Sequence, residues 1–177
     1  MKRAVFAGSF DPPTLGHLDI MRRASRIFDE LIVVIAGNPE KNNLFPAEIR
    51  GNMIREISKK ITNLSVDICP PHVLLVDFLR EKKIDVLVRG LRHGVDFERE
   101  RELSSINRIL SAARKPEDQE NGDSGIETVF LSSKPEFSAI SSSAVRFIAD
   151  YHGDLSGFIP PELVSAVRSR CATRASV

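Results

Sequence analysis

The sequence predicts an α/β fold, a doubly wound sheet of about five parallel strands with helices on both faces. Three observations predict it. Short β-rich runs alternate with amphipathic helical stretches along most of the chain. The run Leu31-Ile32-Val33-Val34-Ile35 is apolar without interruption, as a central parallel strand buried on both faces requires. Segments rich in glycine, serine and arginine fall next to the predicted strand ends, where ligands sit in sheets of this kind.

The elements follow in order. Ala4-Val5-Phe6-Ala7 is the first strand. A helix runs from about Gly16 to Phe28, with Leu18, Met21, Ala24, Ile27 and Phe28 at helical spacing. Leu31 to Ile35 is the second strand. Pro46 starts a second helix, with Ile49, Met53, Ile54, Ile57 and Ile61 on one side. Leu64 to Ile68 is the third strand. A helix through Val73 to Leu79 leads to the fourth, Asp85-Val86-Leu87-Val88. A long helix covers Val95 to Leu110, and Thr128-Val129-Phe130-Leu131 is the fifth strand. Helices follow Ser141-Ser142-Ser143 and Pro160-Pro161. Right-handed crossovers make the arrangement Rossmann-like. The chain reads as one domain over residues 1–170, with a polar surface insertion at 111–125 and a flexible tail at 171–177.

Composition narrows the function. A net charge of +1 gives no global field to draw in nucleic acid or anionic lipid, so an anionic ligand has to be met by local charges. A single tyrosine leaves no basic aromatic platform for RNA. No apolar run approaches the ~20 residues needed to span a bilayer. The two cysteines, Cys69 and Cys171, have neither metal-ligand spacing nor a disulfide pattern. The expected location is the cytoplasm, with no membrane and no nucleic-acid partner.

The chemistry concentrates in three segments. Gly8-Ser9-Phe10-Asp11-Pro12-Pro13-Thr14-Leu15-Gly16-His17 joins a strand to a helix, so His17 sits where free N–H groups and the positive dipole end favour a phosphate. A histidine there can donate to a phosphoryl oxygen as charge develops on it. Asp11 is the nearest carboxylate candidate for a metal, and its expected role is to fix the loop through local hydrogen bonds. In Ile140-Ser141-Ser142-Ser143-Ala144-Val145-Arg146, either Ser141 or Ser142 can cap the next helix, and Arg146 lies one turn in, within reach of the same anion. In Val88-Arg89-Gly90-Leu91-Arg92, two arginines flank a glycine just after a strand. Forked guanidinium donors suit phosphate, and the glycine permits close backbone approach.

Thr14-Leu15-Gly16-His17 resembles the T/HxGH signature of the nucleotidylyltransferase superfamily, and Ile140 to Arg146 resembles its ISSTxxR signature, departing at Ser143. Gly8-Ser9-Phe10-Asp11-Pro12, Arg89-Gly90-Leu91-Arg92, Asp96-Phe97-Glu98 with Glu100, Asn107-Arg108, and Gly153-Asp154 before Phe158-Ile159-Pro160 are similar to the bacterial pantetheine-phosphate adenylyltransferases. That resemblance implies transfer of AMP from ATP to 4′-phosphopantetheine, giving dephospho-CoA and pyrophosphate in the penultimate step of coenzyme A synthesis. It implies catalytic roles for His17, Lys41, Arg92 and Ser142. It implies ATP contacts from Ser9, Phe10, His17, Gly90, Leu91, Arg92, Glu100, Phe137, Ser138, Ala139, Ile140, Ser141, Ser142 and Ser143. Acceptor contacts fall to Ser9, Lys41, Leu75 and Arg89. It further implies Mg²⁺ carried with ATP rather than held by a protein metal cage, a homohexamer, and coenzyme A as feedback inhibitor. Arg99, Ala139 and Asp150 depart from the family's usual residues.

Nicotinate- or nicotinamide-nucleotide adenylyltransferases and glycerol-phosphate cytidylyltransferases share the His17-type motif, but the Arg-Gly-Leu-Arg segment and the Gly-Asp ending disfavour them. A nucleotide sensor without activity is disfavoured by the intact His17, Lys41, Arg89 and Arg92.

Overall fold

The computed structural model describes residues 1–37, 42–84, 86–112 and 125–175. Five strands, β1 (Arg3–Gly8), β2 (Glu30–Ile35), β3 (Leu64–Ile68), β4 (Val86–Leu91) and β5 (Glu127–Ser132), form one parallel sheet in the order β3-β2-β1-β4-β5. Six helices join or follow them: α1 (Leu15–Ile27), α2 (Ala47–Ile57), α3 (Leu75–Glu81), α4 (Gly94–Ala112), α5 (Ser142–Asp150) and α6 (Pro161–Ala175). The predicted fold class is borne out. The chain winds outward from β1 in one direction and then, with β4, in the other. That reversal opens a crevice at the carboxyl ends of β1 and β4.

Period-two alternation explains the apolar runs. Ala4 and Phe6 of β1, with Leu31, Val33 and Ile35 of β2, face Ile20, Met21 and Ala24 of α1 and Ile54 of α2. Val5, Ala7, Ile32 and Val34 face the other way, onto Val76, Phe78 and Leu79 of α3. A third cluster, off the sheet, joins Leu44 and Phe45 to Met53 of α2, Val145 and Ala149 of α5, and Leu163, Val167 and Cys171 of α6. It anchors the C-terminal helices beside the crevice.

Several boundaries differ from the sequence reading. β4 continues through Arg89, Gly90 and Leu91, which pair with Phe130, Leu131 and Ser132 of β5. The arginine segment is therefore strand rather than loop, because the neighbouring strand supplies ladder partners that polar residues alone do not reveal. Gly90 also has a packing reason. A Cβ there would lie 3.1 Å from Ile20 Cγ1, so the glycine lets α1 lie close on the sheet. On α2, Ile49 is exposed, and Ile61 lies past the helix end. The expected tail begins too early: α6 runs through Cys171, which is buried, to Ala175. Ser111, expected in the polar insertion, is buried at the end of α4, where its hydroxyl accepts the Ile126 N–H at 2.9 Å. The rest of that insertion, 113–124, and the last two residues, 176–177, lie outside the described residues.

Helix α5 ends in a Schellman arrangement. The Gly153 N–H donates to Ile148 O at 2.8 Å and the His152 N–H to Ala149 O at 3.0 Å. His152 carries the left-handed conformation, φ 57°, that glycine usually supplies. His152→Gly is therefore expected to raise stability by about 0.5–1 kcal/mol. Urea denaturation checks this, and a lower midpoint would show that the histidine ring contributes more than its backbone strain costs.

Candidate active site

The site is built first by the N-terminus of α1. Thr14 is the N-cap, and its side chain accepts the His17 N–H at 3.3 Å. In return, the Thr14 N–H donates to His17 Nδ1 at 3.0 Å. This is a capping box with histidine in place of the usual Glu or Gln. It also fixes the tautomer. Nδ1 is occupied as an acceptor, so a neutral ring carries its proton on Nε2 and acts there as a donor. The partly buried setting of the ring, and next the positive charge of Arg92, lower its pKa to about 4. Phe10 packs edge-on against the imidazole, with ring centroids 5.0 Å apart. Gly8 leaves room for that phenyl ring: a Cβ at Gly8 would lie 3.0 Å from Phe10 Cζ. Phe10 itself takes a positive φ of 47° to place the ring there.

Folding favours the neutral His17 ring, so its contribution to stability is complete above the unfolded value near 6.5 and is lost as pH falls toward 4. The expected NMR titration midpoint of His17 is about 4, with the ring neutral throughout pH 6–8. A midpoint near 6.5 would mean that the ring is solvated.

The serine segment builds the opposite wall. Ser141 is the N-cap of α5, accepting the Ala144 N–H at 3.0 Å, which decides between the two serines. Ser142 Oγ donates to Pro12 O at 2.8 Å. Arg146 donates to Asp11 O at 2.6 Å and to Ser143 Oγ at 3.2 Å. The two sequence segments that carry the superfamily signatures are thus stitched together across the crevice, and two helix N-termini adjoin one space. The loop after β5 is tied down as well. Arg23 donates to Ser132 O at 2.6 Å, and the Asp19 carboxylate meets Arg23 at 3.1 Å and Lys134 at 3.4 Å.

Asp11 is buried and fixes the loop as expected, but by long-range rather than local bonds. Its carboxylate accepts the Leu44 N–H at 2.7 Å and the Phe45 N–H at 2.9 Å. Arg50 is also buried, and it donates to the carbonyls of Phe45 and Ser9. Burial pulls its guanidinium pKa down, while the charges of Asp11 and Glu48 oppose that shift.

The other arginines are not free forks. Arg89 makes a two-point pair with Glu100, at 2.6 and 2.7 Å, and donates to Ala7 O at 2.8 Å. Arg92 pairs with Asp96 at 2.9 Å. Both guanidinium groups are thus paired with carboxylates of α4.

Together these groups enclose a cavity of about 630 Å³ over the β1/β4 crevice. Its wall includes Ser9, Phe10 and His17 from the first segment, Arg89 and Gly90 from β4, Arg92 just after it and Glu100 from α4. Phe137 and Ile140 to Ser143 close the far side. Four other expected site residues lie off this wall. Leu91 pairs with Ser132 at the end of β4, and Ser138 turns its hydroxyl back onto Pro135 O at 2.8 Å. Ala139 is exposed, and Leu75 packs partly buried against the α3 core. Lys41 lies outside the described residues. The wall adds Asn42 and Asn43, which the sequence reading passed over. Arg50 was missed too. One arginine in an amphipathic helix gives no signal until the fold places carbonyls around it.

Residues 5–148 match the family model described as Cytidylyltransferase-like. A phosphopantetheine adenylyltransferase of Symbiobacterium thermophilum is 43% identical over 172 residues, covering 97% of this chain and 98% of that one. One from Streptomyces coelicolor is 38% identical over 174 residues, covering 98% of this chain and 100% of its own length. The chain belongs to the phosphopantetheine adenylyltransferase family. Membership over nearly the full length bears out the resemblance read from Gly8 to His17, Arg89 to Arg92 and Ile140 to Arg146. Among solved structures, the nicotinic acid mononucleotide adenylyltransferase of Plasmodium falciparum superposes with a TM-score of 0.64 at 15% identity, covering 98% of this chain and 96% of its own. At that identity the likeness shows a shared fold, and it places this phosphopantetheine adenylyltransferase family member in the wider architecture its sheet order had indicated. No helix among the described residues is long and apolar enough to cross a membrane.

Proposed function

We propose that this chain transfers AMP from ATP to 4′-phosphopantetheine, giving dephospho-CoA and pyrophosphate. The observation that carries the chemistry is the His17 ring. It is locked by Thr14 with Nδ1 as acceptor, so Nε2–H is the donor at a cavity bordered by the N-termini of α1 and α5. The acceptor is chosen by family membership, since the same cavity chemistry suits other phosphate nucleophiles.

An oxygen of the acceptor phosphate attacks the α-phosphorus of ATP. The new P–O bond forms in line as the bond to the β-phosphate bridging oxygen breaks, and pyrophosphate leaves. The attacking phosphate is already anionic at neutral pH, so no strong base is needed. Catalysis then rests on positioning and on donors aimed at the developing charge. His17 Nε2–H stabilises the transferring phosphoryl group, joined by Arg92, Ser142 and Lys41. ATP is held by Ser9, Phe10, Gly90 to Arg92, Glu100 and the stretch Phe137 to Ser143. The acceptor is held by Ser9, Lys41, Leu75 and Arg89.

Mg²⁺ fits as a companion of ATP. The carboxylates on the cavity wall are committed elsewhere: Asp11 to two backbone N–H groups, Glu100 to Arg89 and Asp96 to Arg92. That donor set suits an ion held mainly by phosphate oxygens, with Asp11 the nearest carboxylate for an outer contact. Bound so, it neutralises charge on the triphosphate. The same reading has the enzyme in the cytoplasm as a homohexamer, with coenzyme A as feedback inhibitor.

Pyrophosphate release tests the proposal. With ATP, turnover is expected with 4′-phosphopantetheine and not with nicotinamide mononucleotide. Turnover with the mononucleotide alone rejects the assigned acceptor.

A further inference from the structure

Arg50 of α2 forms no part of the cavity wall, yet it is 3% exposed and joins two parts of the site's frame. Its Nε donates to Phe45 O at 2.9 Å, and its Nη1 donates to Ser9 O. The Asp11 carboxylate takes the N–H groups of Leu44 and Phe45, and Arg170 Nε from α6 donates to Leu44 O at 2.9 Å. All four backbone polar groups of Leu44 and Phe45 are therefore held by charged side chains from three different parts of the chain. Asn42 and Asn43 of the cavity wall come immediately before this segment. Asp11 ties the segment to the Ser9 turn through the segment's N–H groups, and the guanidinium bonds the Ser9 carbonyl itself.

We propose that Arg50 is a positioning residue for nucleotidyl transfer: its planar fork holds the Ser9 carbonyl against the Leu44–Phe45 segment and thereby sets where the Ser9 hydroxyl meets the substrate phosphates. The inference rests on the function proposed above, in which Ser9 contacts both ATP and the acceptor. Geometry gives arginine this role. Two carbonyls on separate segments need two donors held in one plane at fixed spacing, which an ammonium on a flexible stem does not supply. Displacement of a site group by about 1 Å is enough to cost on the order of a hundredfold in rate.

A double-mutant cycle tests it. Arg50→Lys keeps the charge and loses the fork, and it is expected to lower kcat/KM for 4′-phosphopantetheine by about 10- to 100-fold. Ser9→Ala is expected to lower it also. The double variant should be no worse than the weaker single variant by more than about twofold, because the placement of an absent hydroxyl has no consequence. Effects that multiply overturn the proposal, as does an Arg50→Lys enzyme with wild-type kcat/KM. Arg50→Gln, whose amide reaches one carbonyl, provides a second variant if the lysine form is too unstable to assay, with the same two outcomes. Melting temperatures are recorded for each variant, and Arg55→Lys, on the exposed side of α2, serves as the control with unchanged activity. A wild-type enzyme inactive on 4′-phosphopantetheine rejects the proposed function itself. An active wild type matched by its Arg50 variants rejects only the positioning role.

Discussion

His17→Ala is expected to lower kcat by about 10²–10³-fold, equivalent to about 3–4 kcal/mol in the barrier, with a much smaller change in the KM for ATP. In the proposed mechanism the Nε2–H donor meets charge that grows on the phosphoryl oxygens only as the reaction proceeds, so its removal would be felt in the transition state rather than in ground-state binding. The structure adds a second consequence. His17 Nδ1 also accepts the Thr14 N–H, so alanine removes half of the α1 cap and should cost about 1 kcal/mol of stability. His17→Glu separates the two effects. Glutamate in this helical position restores the reciprocal cap but offers no donor, so stability should recover while activity stays at or below that of the alanine variant. Single-turnover kinetics and thermal melts on both variants check this. Near-wild-type turnover in His17→Ala removes the ring from the mechanism.

Asp11→Ala carries the largest expected loss of stability, about 3–5 kcal/mol. The carboxylate satisfies two buried backbone donors, at 2.7 and 2.9 Å from Leu44 and Phe45, and its Oδ2 lies 3.5 Å from Arg146. Its charge also opposes that of the buried Arg50. Removing it leaves those N–H groups without acceptors and a buried guanidinium with Glu48 as its remaining counter-charge, and each deficit costs more than the lost bonds themselves contributed. Asp11→Asn should lose less, because an amide oxygen can still accept one of the two N–H groups. Urea denaturation measures both, and a loss under about 1 kcal/mol for the alanine variant would mean that water replaces the carboxylate at no cost.

The sequence made the strands and most helices legible because the apolar periodicity that defines them is local. Leu64 to Ile68 coincides with β3, and Leu31 to Ile35 lies within β2. Apolar periodicity failed where the decisive partner is distant in sequence. The register of Arg89 and Gly90 against Phe130 and Leu131 extends β4 past the residues that look like a strand. The buried face of Cys171 likewise carries α6 past the expected start of the tail. In the site, His17 and the serine run were readable because helix starts have their own residue chemistry. The pairing of Arg89 with Glu100 and of Arg92 with Asp96 was not, since spacing along the chain does not say which carboxylate a guanidinium will meet.

By itself the sequence determined the parallel α/β architecture, the strand-to-helix turn from Gly8 to His17, and, by its motifs, the family. These follow from local periodicity, turn and capping residues, and short contiguous patterns. Tertiary structure alone decided that Nε2 is the donor nitrogen of His17, that Asp11 and Arg50 form the buried frame behind Ser9, and that the site arginines are paired with α4 before any ligand enters. Each of these depends on a hydrogen-bond partner or on burial. Both are set by how the strands and helices pack, and neither is written in the order of residues around the group it controls.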